Sequence, residues 1–175
     1  AITAKVMNPD TNVICRADSS NIEDNMLSFG TDHIINPYRT FARQLVLAAK
    51  SPSQYALNEW FRSALDEPLP SKVKIAKGRW IICGYGRFGR AIYEELLSHG
   101  LTAQIIEPDT STLDMPENTI IGDGTGVSTL KEANVSEAIG IIAGSNDDSN
   151  NLSIIVTARL LNPDLFVIIR QNKQS

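Results

Sequence analysis

The spacing of Gly84, Gly86 and Gly89, directly after the apolar run Trp80 to Cys83, constrains what this chain can fold into more than any other feature. A short continuous apolar run suits a strand buried on both faces, and G-x-G-x-x-G after it suits a tight turn into a helix. Each glycine has its own task. Gly84 permits the turn out of the strand, Gly86 lets backbone approach a pyrophosphate, and Gly89 lets the helix lie close on the sheet. Ile92, Leu96 and Leu97 then recur at helical spacing, and Gly100 falls where a helix C′ residue is expected. Such a helix aims its N-terminal amides, with their partial positive charge, at the glycine turn and makes that turn an anion site.

A glycine triplet also marks ordinary turns, so the residues after it decide its meaning. A second strand, Ala103 to Ile106, ends in Glu107, 18 residues beyond Gly89. An acid at about this distance is where a ribose diol is hydrogen-bonded. A carboxylate accepts from two free ribose hydroxyls and repels a 2′-phosphate, so Glu107 favours NAD(H) or a plain adenine nucleotide over NADP(H). The alternative for Glu107 is a surface acid ahead of a Pro108 turn.

Composition adds exclusions. With 42% hydrophobic and 21% charged residues the chain is ordinary for a globular protein, and its net charge of −4 gives no support for a nucleic-acid partner. No apolar run approaches the roughly 20 residues that span a bilayer, and the N-terminus does not resemble a signal peptide. Cys15 and Cys83 both fall inside expected buried strands, which suits reduced thiols in a cytoplasmic protein; a redox-sensing Cys83 beside the glycine turn is the alternative.

The opening residues read as the end of a helix, a turn at Asn8-Pro9-Asp10 and a strand from Val13 to Arg16. The same pattern returns at a constant offset of 154. Thr3, Ala4, Asn8, Pro9, Asp10, Val13, Ile14 and Arg16 match Thr157, Ala158, Asn162, Pro163, Asp164, Val167, Ile168 and Arg170. Chance does not sustain this, so the chain carries an internal repeat. Residues 1–50 are then the C-terminal part of a first unit, 51–78 a helical and Pro/Lys-containing linker, and 79–175 a second unit lacking its end.

In the first unit, Ser19-Ser20-Asn21 cap a helix from Ile22 to Phe29 that Gly30 stops, and His33 to Ile35 form a short strand. Phe41, Ala42, Leu45, Val46 and Ala49 line one apolar face of a helix from Tyr38, which either lies on the chain's own sheet or also associates with a neighbour. Ser51-Pro52 opens another helix, with Leu57, Trp60, Phe61, Ala64 and Leu65 on one side. The cluster Lys72, Lys74, Lys77 and Arg79 is a solvated linker or a contact for an anionic partner.

In the second unit a third strand, Thr119 to Ile121, ends in Gly122-Asp123-Gly124, and a fourth, Ala138 to Ala143, ends in Gly144-Ser145. Carboxyl ends of parallel strands are the ligand side of such a sheet, so Asp123 is a candidate for the adenine or its ribose, or else a turn aspartate. Asn146-Asp147-Asp148 looks like a metal cluster but serves equally as helix caps, and no metal is expected. With a helix to Leu161 and a fifth strand, Phe166 to Arg170, the fold class is α/β: a Rossmann-like doubly wound parallel sheet preceded by the trailing strand and helix of another unit.

With GYGRFG at 84–89, IIEPD at 105–109, GDGT at 122–125 and ARLLNPDLFVIIR at 158–170, the chain resembles the TrkA-N family. These are also called KTN or RCK domains, cytoplasmic domains that regulate potassium conductance. Residues 79–170 are similar to most of one such domain, and 1 to about 50 to the end of another. Aspartate is usual in the family where Glu107 stands, and no TrkA-C domain lies between the repeats. The resemblance implies Gly84, Gly86, Arg87, Phe88 and Gly89 on the phosphates, Glu107 on the ribose and Asp123 near the adenosine. Asp109, Gly124 and Gly144 join these as candidate cofactor-binding residues. It implies NAD(H), with ADP, ATP or AMP as alternatives, and a potassium channel or transporter membrane domain as partner at the inner cell membrane. IINPYRTFARQL, residues 34–45, is similar to the strand and crossover helix through which these domains pair. A homodimer, or a larger ring, is therefore expected to bury the Phe41, Leu45, Val46 and Ala49 face. The same segments are candidates to complete the second unit's missing edge, within one chain or by exchange.

The competing class is a nicotinamide-dependent dehydrogenase whose catalytic part lies elsewhere. Hydride transfer needs an acid or base near the reacting carbon–oxygen bond, and the chain offers only His33 and His99, both at element ends. A third class is a structural domain with a vestigial site. A regulatory domain needs no chemistry, and the expectation is no enzyme.

Overall fold

The computed structural model describes residues 2–64, 66–111 and 114–172. The chain opens with α1 (Ile2–Met7), β1 (Ile14–Arg16), α2 (Ser20–Ser28), β2 (His33–Ile35), α3 (Pro37–Lys50) and α4 (Pro52–Arg62). After an irregular stretch come β3 (Arg79–Cys83), α5 (Arg87–Ser98), β4 (Thr102–Glu107), β5 (Ile120–Ile121) and α6 (Val127–Glu132). A 3-10 turn at Val135–Glu137, β6 (Gly140–Ala143), α7 (Asp148–Leu161) and β7 (Phe166–Ile169) follow. Five strands form one all-parallel sheet in the order β5-β4-β3-β6-β7, the expected doubly wound layout.

β3 is central because it is apolar on both faces. Trp80 and Ile82 join Phe88, Ile92 and Leu96 of α5 on one side, while Ile81 and Cys83 join Leu130 of α6 and Ile154 and Ala158 of α7 on the other. Gly140, paired with Trp80, is glycine because a Cβ there would stand 2.5 Å from the indole. α5 ends as expected at Gly100, whose φ of 73° lets its N–H donate to the Leu97 carbonyl and that of Leu101 to the Leu96 carbonyl.

The repeat is structural as well. Asn8 N–H donates to the Ala4 carbonyl, Thr11 N–H to the Asn8 carbonyl, Asp10 N–H to Asn8 Oδ1 and Lys5 Nζ to the Pro9 carbonyl. Asn162, Leu165, Asp164 and Arg159 make the same bonds to Ala158, Asn162, Asn162 Oδ1 and Pro163.

Four expectations need correction. Most of the apolar face of α3 is taken up within the chain: Ala42, Leu45 and Val46 are buried in one cluster with Phe88, Ile92 and Leu96 of α5, while Phe41 stays exposed and Ala49 half-buried. Packing within a chain avoids the translational and rotational cost that a dimer must overcome. Second, β2 does not extend the large sheet; it pairs in parallel with β1, Ile14 opposite His33, and β7 is the sheet's edge among the described residues. Third, Leu57, Trp60 and Phe61 of α4 are exposed, the helix stops at Arg62 short of Ala64, and its buried residue is Ala56. Leu65 lies outside the described residues. Cys15 is half-buried rather than buried.

Candidate functional site

The carboxyl ends of β3, β4 and β6 border a cleft of about 440 Å³. It lies where the strand order reverses, because the loops after β3 and β6 leave toward helices on opposite faces of the sheet and part from each other. Gly84 sits at φ 99°, and a Cβ there would press on the Gly144 carbonyl carbon and the Ser145 nitrogen, each at 3.3 Å. Gly89 brings α5 so near the turn that a Cβ would meet the Gly84 carbonyl oxygen at 1.9 Å. Gly86 is the opposite case. It is the extended N-cap of α5, no side chain caps the helix there, and the space a Cβ would enter is open to 4 Å. Uncapped amides behind an open glycine form a cradle suited to a phosphate.

Glu107, 9% exposed, accepts from the Tyr85 N–H through Oε2 at 2.5 Å and from the Asp109 N–H through Oε1 at 3.0 Å. It thus ties the end of β4 to the glycine turn while lining the cleft. A carboxylate has about four lone-pair positions, so these two bonds leave capacity for a diol. Asp109 accepts from the Ser111 hydroxyl and N–H, which hold its carboxyl below the ordinary value. Asp123 accepts from the Thr125 N–H at 2.9 Å. Under these acids lies Cys83, whose thiol is pushed up to about 12, by burial first and then by the charges of Asp123 and Glu107. It stays neutral, and the redox-sensor alternative loses its physical basis, since the thiolate is the reactive form.

Of the candidate residues, Gly84, Gly86, Arg87, Glu107, Asp109, Asp123, Gly124 and Gly144 line the cleft. Phe88 and Gly89 do not. Phe88 turns into the core, its ring centroid 6.0 Å from that of Tyr38 and 5.4 Å from that of Phe41. Arg87 lines the cleft but forms an ion pair with Asp18, which follows β1. Sequence reasoning missed Tyr38, Ser145, Asn146, Asn150 and Arg170. Arg170 Nη1 donates to Asn146 Oδ1 at 3.0 Å and to the Gly144 carbonyl at 3.4 Å, and the guanidinium lies 5.8 Å from the Tyr38 and Phe88 ring centroids. Its place at the carboxyl end of the fifth strand, matched by Arg16 in the repeat, was the signal. Tyr38 comes from the first unit and had none.

Asp147 caps α7 by accepting from the Asn150 N–H, whereas Asp148, the first residue of the helix, accepts from the Asn172 N–H and side-chain amide. Among the described residues no group of three or more His, Cys, Asp and Glu side chains is placed to hold a metal ion. His33 begins β2 and His99 caps the end of α5; neither lines the cleft. No helix of the described residues is long and apolar enough to cross a membrane.

The family model of the TrkA-N domain matches residues 80–175. "Potassium channel protein 1" of Methanocaldococcus jannaschii is 32% identical over 110 residues, which are 59% of this chain and 33% of that protein. The "Trk system potassium uptake protein TrkA homolog" of Methanothermobacter thermautotrophicus is 33% identical over 99 residues, 48% of this chain and 46% of the relative. Among solved structures, GsuK bound to ADP superposes with a TM-score of 0.67 at 20% identity, covering 95% of this chain and 38% of the other. The chain thus spans about a third of the length of the channel protein it matches.

Proposed function

The chain belongs to the TrkA-N domain family, and on that premise we propose that residues 79–175 are a nucleotide-binding regulatory unit of a potassium channel or transporter. Residues 1–50 are then the end of a preceding unit of the same kind and 51–78 the linker. The observation that carries the reading is the open, uncapped turn at Gly86 beside Glu107, which is bonded to the Tyr85 N–H at the rim of the same cleft. Backbone amides of α5 hold the pyrophosphate, Glu107 the ribose, and Asp123 the adenosine end. NAD(H) is the first choice and ADP, ATP or AMP the alternatives. The membrane domain it serves lies on the channel or transporter, with this unit on the cytoplasmic side.

The side chains of the cleft suit binding rather than turnover. Glu107 is bonded to backbone amides, Cys83 is held neutral, and both histidines lie elsewhere. Regulation needs only that the ligand favour one arrangement of the assembly over another.

Titration calorimetry with NADH, ADP and NADPH tests this. The chain is expected to bind NADH or ADP, and NADPH at least several-fold more weakly, because a 2′-phosphate beside Glu107 meets like charge worth about 1 kcal/mol or more in a partly screened site. Gly86→Val fills the open space in front of the turn and is expected to abolish binding with an unchanged thermal transition. Equal affinity of wild type and variant would remove the site.

A further inference from the structure

Arg87 belongs to two spaces at once. It is the first residue of α5, lines the cleft, and also lines an adjoining groove of about 730 Å³ between α5 and the first unit, together with Asp18, Ser19, Arg39, Arg90 and Glu94. In that groove Arg87 Nη1 pairs with Asp18 Oδ2. We propose that Asp18 competes with the ligand's phosphates for Arg87, so that nucleotide occupancy and the grip of the first unit on α5 partly exclude each other. This rests on the nucleotide reading above and adds to it a residue from the other repeat that sets phosphate preference.

The physical case has three parts. First, a carboxylate held by the residue that opens a helix lies close to where a phosphate would lie, and both favour the same positive end and the same guanidinium. Second, the pair is unequal in freedom: the side chain of Arg87 is 61% exposed and that of Asp18 26%, so the guanidinium is the end that can swing from one anion to the other. Third, the fold does not require a charge at position 18. The repeat offset places Asn172 at the equivalent position, and a neutral amide serves there, donating to Ser145 and Asp148. Coupling through such a pair is reciprocal: the factor by which removing Asp18 tightens the ligand is the factor by which the ligand loosens Asp18.

Asp18→Asn installs the residue of the other repeat and leaves the fold in place; Asp18→Ser is the second variant. ADP and AMP are titrated by calorimetry into the wild-type chain, into both variants, and into the same variants carrying Arg87→Ala. Both variants are expected to bind ADP about two- to fivefold more tightly than wild type, as suits an exposed pair, with a smaller change for AMP. In the Arg87→Ala background the effect of position 18 is expected to vanish. Unchanged or weakened ADP binding in the variants overturns the proposal, as does an equal gain without Arg87. A wild-type chain that binds no nucleotide at all fails earlier, at the functional reading.

Discussion

At Gly89 the close approach of α5 to the turn is a matter of one absent methyl group. The Gly84 carbonyl that a Cβ would strike at 1.9 Å is main chain and cannot swing away, so Gly89→Ala has to push the helix off the sheet. The expected cost is about 1–3 kcal/mol, read as a lower urea midpoint. Gly86→Ala is the control: its Cβ meets nothing within 4 Å, and the midpoint should barely move. Cys83 carries the second prediction at this scale. Its thiol ionises near 9.0 when unfolded and near 12 when folded, so above pH 9 the unfolded chain sheds its proton first. Stability is full below pH 9 and falls as pH climbs toward 12. Cys83→Ala should flatten that decline, and parallel declines in both proteins would acquit the thiol. The glycines were legible because each answers a demand of the backbone, and Glu107 because an acid at the end of the second strand lies within reach of the glycine turn. The inward turn of the Phe88 ring was not legible, because its partners Tyr38 and Phe41 lie far off in sequence.

Among the elements, α3 shows what a hydrophobic pattern leaves open. The spacing of Ala42, Leu45 and Val46 fixed that the helix has an apolar side; it contained nothing about which surface covers it. The structure gives that surface as α5, which is therefore held between the sheet and α3. Leu45→Ala is expected to cost about 2–5 kcal/mol and to speed hydrogen exchange in α3 ahead of β3. Equal exchange of α3 in wild type and variant would show that the contact does not bind the first unit to the second. α4 is the converse: Leu57, Trp60 and Phe61 follow helical spacing as faithfully, yet all three stay exposed, with the Trp60 indole N–H donating to the Glu67 carbonyl. Strand order was readable for the opposite reason, since runs apolar on both faces, such as Trp80 to Cys83, have few places to go except the middle of a parallel sheet.

Over the whole molecule, the offset of 154 seen in the sequence reappears as the same corner built twice, bond for bond. How the units meet was not legible, because the joining contacts, Tyr38 at the cleft and Asp18 on Arg87, link residues distant in sequence and belong to neither unit's own pattern. Arg170 stands where these relations converge. Its N–H is bonded to the Ala143 carbonyl, its side chain to Asn146 and Gly144, and its guanidinium lies near rings from both units. Traction on the chain at residue 171 is thereby delivered to the cleft wall through short, stiff connections, with no slack segment to absorb it. In mechanical terms the end of β7 is a lever set against the cleft: displacement there reaches Gly144 and Asn146, which line it, through the Arg170 side chain.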